Sequence, residues 1–186
     1  MTKETEILGR YMILAGFKGV KVGDPHILLQ RVHEKTKDSK VQLLDADLVA
    51  GREHLYFATL NAQRAFETGL NISKDLAVET LLYASGQHQI RKAVELLGVK
   101  PGSCNVAVVI MAETEVEAHE DLKIVSDLLG GKISDETLDL TKEKVQTIRK
   151  LFNISDLEVN AASRDENLEK TLTNLVIEHM ALLTTR

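Results

Sequence analysis

The densest group of ligand-recognising side chains lies in ASGQHQIRKAVELLG, where Gln87, His88, Gln89, Arg91 and Lys92 follow a Ser-Gly break. At the first turn of a helix, free backbone N–H groups and cations attract phosphate. Glutamine and imidazole can also hydrogen-bond to, or stack on, unpaired bases. The chemistry suggested is contact with single-stranded RNA. The same residues equally suit the solvated face of an amphipathic helix, and the pattern leaves both readings open.

Signatures of bond-making chemistry are missing from the sequence. His119-Glu120 lacks the second histidine four residues on that would place two zinc ligands on one helix face, and Glu53-His54 lacks it too. No Gly-x-Ser-x-Gly elbow exposes a serine, and no glycine-rich phosphate loop follows a strand pattern. Asp45 and Asp47 alternate along a strand pattern and could serve with His54 in a small metabolic enzyme. They also suit an exposed strand edge. The expectation is a chain with no catalytic residue, no metal and no cofactor.

The elements that must position these groups follow from composition and punctuation. The chain has 186 residues, 44% hydrophobic and 27% charged, which fits one globular domain over residues 1–186. With aromatics at 4% and no Trp, the core must be aliphatic. Two prolines suit a helix-rich fold. The single cysteine, Cys104, excludes an intrachain disulfide, fits a reducing cytoplasm, and in SCNVAVVIM reads as a buried small hydrophobe. The N-terminus lacks a secretory apolar core, and no apolar run reaches the roughly 18–20 residues that span a bilayer. Net charge is −5, but residues 1–100 hold 14 basic against 12 acidic residues and residues 101–186 hold 9 against 16. A polyanion would therefore meet the first half.

Strands are expected in YMILAGFKGVKV, VQLLDADLV and, as the central one, the doubly apolar NVAVVIM. Asp24-Pro25 starts a helix, and REHLYFATLNAQRAFETG forms another that ends at Gly69. Ser73 or Asp75 caps a helix ending near Gly86. The next should bury Ile90, Ala93, Val94 and Leu97 and end with Gly98 in the left-handed region. The acidic region 113–143 holds a helix up to Leu129, and helices follow in TKEKVQTIRKLF and ENLEKTLTNLVIEHMALL. At about 100° per residue the apolar positions of the last helix cover roughly 220°, more than the stripe of about 100° that a surface helix needs. Burial between core elements and docking of a partner both explain that excess. The fold class is α/β, one domain with a small central sheet flanked by several helices.

The segments DADLVAGREHLYFATLNAQRAFETG, ISKDLAVETLLYASGQHQIRKAVELLGV, NVAVVIMAE and TLTNLVIEHMALL together resemble the KEOPS-complex subunit of the PRPK-binding protein (TPRKB) family, archaeal type. The likeness covers residues 41–112 well and the last helix moderately, and its most specific piece is the ASG-x-x-QI-x-x-A-x-x-x-LG pattern. It implies a non-catalytic, kinase-binding regulatory subunit of the assembly that installs threonylcarbamoyladenosine on tRNA. The family binds the kinase-like ATPase subunit of PRPK type, partly through the C-terminal helix, and is linked through it to the transferase subunit. Archaeal members also hold the tRNA 3′ CCA end. Carried onto this chain, Arg64, Lys74, His88, Gln89, Arg91 and Lys92 would contact RNA, and Leu172, Leu175, Val176, His179 and Leu183 would meet the partner. Archaeal relatives commonly have Arg at the position of His88, so the resemblance is broken at that position by the loss of a permanent cation. A structural adaptor without RNA contact remains the third reading.

Overall fold

Residues 105–112, rich in β-branched side chains, are apolar on both faces, and only a strand covered on both sides can bury them all. In the computed structural model, which describes residues 3–36, 39–163 and 167–182, this segment is the central strand β4 (Asn105–Ala112). It pairs antiparallel with β2 (Arg10–Lys18) on one side and β3 (Lys40–Asp45) on the other. Beyond β2, β1 (Lys3–Ile7) pairs with its first half, and the two-residue β5 (Lys132–Ile133) pairs with its end. The sheet is open and antiparallel, in the order β1-β2-β4-β3.

Period-2 alternation sorts the strand side chains into two cores. Met12, Leu14, Leu44, Val109 and Met111 face α2 (Arg52–Thr68), α3 (Leu76–Ser85) and α4 (Ile90–Leu97). Ile13, Phe17, Leu43, Val108 and Ile110 face α1 (Pro25–Lys35) and α5 (Glu115–Leu129). A third cluster joins α6 (Lys142–Leu151), α7 (Asp156–Ala162) and α8 (Leu168–Ala181) around Val145, Ile148, Val159, Leu172 and Val176. The result is a single α/β domain with eight α-helices among the described residues. None of them is long and apolar enough to cross a membrane.

Caps explain the boundaries. The Asp24 carboxylate accepts from the amides of His26 and Ile27, Asp75 from those of Ala77 and Val78, and Thr114 forms a capping box with Glu117. Several expectations are corrected. β1 and α7 were not foreseen, and the strand expected over 41–49 stops at Asp45, where the chain turns into a short 3₁₀ segment over Ala46–Leu48. Cys104 is exposed, because it stands one residue before the strand begins. Ile90 and Val94 are 47% and 43% exposed, since α4 is only eight residues long and seats just Ala93 and Leu97 in the core. Gly98 is extended (φ −64°, ψ 151°) rather than left-handed. Its lack of a side chain matters because a Cβ there would lie 2.6 Å from the Val94 carbonyl oxygen.

Candidate interaction surfaces

The α3–α4 junction is set by Gly86, whose φ of 62° ends α3 and whose amide bonds back to the carbonyls of Leu82 and Tyr83. The chain then re-enters a helix at Ile90 with Gln89 as N-cap, and no side chain caps the first amides. That first turn therefore presents unspent N–H groups beside exposed His88, Gln89, Arg91 and Lys92. Arg91, 92% exposed at its side chain, donates to Glu95 at 2.9 Å along the same helix. This exposed pair is weak and leaves the guanidinium free to exchange partners.

The other two expected RNA contacts lie elsewhere. Arg64, exposed on α2, lines a groove of about 230 Å³ with Asn61, Thr68, Tyr83 and Ala181. Lys74, just before α3, lines a separate groove of about 320 Å³ that also holds Arg10, Lys40, Gln63 and Glu67. Arg10 pairs with Glu113 at 2.9 Å, and Lys40 stands 4.0 Å from Asp75. Arg10 and Lys40 were missed in the sequence because they meet Lys74 only through the fold.

The last helix departs from the expected docking face. Leu172 and Val176 are 0% and Leu175 6% exposed, all packed in the third cluster. Met180 is buried in the first core, with Ile177 against it. One helix thus seals two clusters, which accounts for its wide apolar arc and places Leu172, Leu175 and Val176 inside the domain. Leu183 lies outside the described residues. His179 reaches the surface in a polar cleft of about 790 Å³, together with Arg149, Lys150, Asp156, Glu158 and Leu182. Its Nε2 lies 3.1 Å from Glu158 Oε1. The Ser155 amide and hydroxyl, and then His179, hold the Glu158 carboxyl down to about 2. Arg149 crosses the cleft to Asp156 at 2.6 Å. The consecutive Arg149-Lys150 at the end of α6 was the sequence signal for this cleft.

Residues 17–184 match the family described as kinase binding protein CGI-121. The chain belongs to that family. The Regulatory protein Cgi121 of Methanocaldococcus jannaschii is 32% identical over 143 residues, spanning 77% of this chain and 85% of that protein. A kinase-binding regulatory role follows from this membership.

In this CGI-121 member the residues that an enzyme reading would use are engaged in holding the fold. His54 is fully buried; its Nδ1 accepts from the Ala50 amide at 3.1 Å, so Nε2 carries the proton and donates to Ala84 at 2.7 Å. Burial lowers its pKa to about 4, against the opposing effect of the Ala84 bond. Ser103 donates to Asp45 at 2.7 Å and Asn105 to Asp47 at 2.8 Å, tying the 3₁₀ turn to the start of β4. The Lys144 ammonium donates to the carbonyls of Ala46, Thr137 and Asp139. Burial lowers its pKa, while Asp47, Asp139 and Asp45 oppose that shift. Buried Glu79 accepts from the amides of Ile72 and Ser73 and closes the loop before α3.

Proposed function

We propose that this chain is a non-catalytic, cytoplasmic subunit of a KEOPS-type complex. It binds the kinase-like ATPase subunit and recruits tRNA by its single-stranded 3′ CCA end, in support of threonylcarbamoyladenosine formation by a separate transferase subunit. The observation that carries the RNA half is the uncapped start of α4, where free amides adjoin exposed His88, Gln89, Arg91 and Lys92. Phosphate would sit at the amides and cations, while Gln89 and His88 meet the unpaired bases. Arg64 and Lys74 are secondary contacts, because each lines a different groove.

For the kinase-like partner the docking edge is the cleft where α6, α7 and α8 converge, with His179, Lys150 and Leu182 at its surface and Leu183 following in sequence. Leu172, Leu175 and Val176 support that edge from beneath. The Arg91–Glu95 pair favours the second reading, an adaptor without RNA contact, since it neutralises part of the patch. Calorimetric titration of the kinase-like subunit into wild type and into a His179→Ala, Lys150→Glu variant tests the edge. At least about tenfold weaker binding by the folded variant is expected. Equal affinity would move the interface elsewhere.

A further inference from the structure

We propose that Glu4, Glu115 and His119 form a binding site for a divalent transition metal, zinc above all. Glu115 and His119 are four residues apart on one face of α5, and Glu4 reaches them from β1. Neither segment carries a zinc motif, and the set exists only because the fold brings the β1 edge beside α5. His119 Nε2 lies 3.5 Å from Glu4 Oε2 and 3.9 Å from Glu115 Oε1, and one donor atom from each residue falls within 4.8 Å of the others. Tetrahedral zinc with bonds of about 2.0–2.1 Å sets its donors about 3.3 Å apart. Small rotations of these exposed side chains close the difference.

Tyr11 completes the surroundings. Its hydroxyl donates to Glu4 Oε2 at 3.5 Å, and its ring centroid lies 6.5 Å from that of His119. Such a partner orients a ligating carboxylate. Among the described residues no lysine or arginine is in ion-pair contact with Glu4 or Glu115. The imidazole nitrogen and the count of three protein donors select a transition metal over magnesium or calcium, which prefer six or more oxygens. The fourth position is left to water. A bound ion would pin β1 to α5, away from both α4 and the α6–α8 cleft.

The test is calorimetric titration of zinc chloride into the full chain in a non-coordinating buffer. One equivalent should bind in the micromolar range, and magnesium should not compete. His119→Ala and Glu115→Gln should each weaken binding at least about tenfold with an unchanged circular dichroism spectrum. In wild type, cobalt should broaden the backbone amide resonances of Glu4, Glu115 and His119 first, a readout that needs no variant. Absence of binding, affinity unchanged in His119→Ala, or broadening centred on another histidine would overturn the site.

Discussion

His54 Nε2 donates to the carbonyl oxygen of Ala84 across 2.7 Å of fully buried interior, joining α2 to the last turn of α3. Two residues after Ala84 comes Gly86, where the chain turns toward the polar start of α4. A core imidazole thus steadies the junction that presents the candidate RNA surface.

Burial of the His54 ring, which the Ala84 bond only partly offsets, makes stability depend on pH. The folded pKa of His54 is lowered to about 4 from 6.5, so the unfolded chain takes up a proton that the folded one refuses. The contribution is fully present above pH 6.5 and is lost as pH falls from 6.5 through about 4. By linkage it amounts to the order of 3 kcal/mol. Urea unfolding midpoints across that range should show this slope in wild type. A His54→Leu variant should be less stable at pH 7, by about 2–4 kcal/mol, with the slope reduced.

Buried positions of α8 should report on folding before they report on partner binding. Leu172→Ala opens a cavity in the third cluster and is expected to cost about 2–5 kcal/mol. Leu172→Glu should yield an unfolded or insoluble chain. Thermal melts check both; a folded, stable Leu172→Glu would contradict the burial.

Gly98→Ala should destabilise by about 1–3 kcal/mol through overpacking, because its Cβ meets the Val94 carbonyl oxygen at 2.6 Å. The same substitution at Gly9, φ 77°, meets no atom within 4 Å. Backbone strain alone sets its cost. Melting both variants separates the two causes.

At the start of α4, Arg91→Glu with Lys92→Glu should weaken tRNA binding. The salt dependence of the affinity should also fall, by about one unit for each phosphate that is no longer neutralised. Both side chains are exposed, so the melting temperature should hold. Unchanged tRNA affinity in the folded variant would move the RNA surface elsewhere.

Local signals marked much of this fold. Continuous apolarity identified β4 as central, and Asp24-Pro25 and Gly86 placed helix ends where a cap and a left-handed turn stand, while the choice between Ser73 and Asp75 is settled by the fold in favour of Asp75. Periodicity failed at α4, where Ile90 and Val94 continue an apolar stripe that a short helix leaves at the surface. It also left α8 open, since an apolar arc cannot tell two flanking cores from one core and a partner. Grouping of charges was the least legible, because the groove joining Arg10, Lys40 and Lys74 draws on residues far apart in the chain. The contiguous run from His88 to Lys92 was legible because one turn carries it.

The most direct measurement is the affinity of the full chain for tRNA with its 3′ CCA end intact and with that end removed, at one fixed salt concentration. Recruitment through the start of α4 predicts tight binding to intact tRNA and at least about tenfold weaker binding to the truncated form. Equal affinity for the two forms, or none for either, would contradict it.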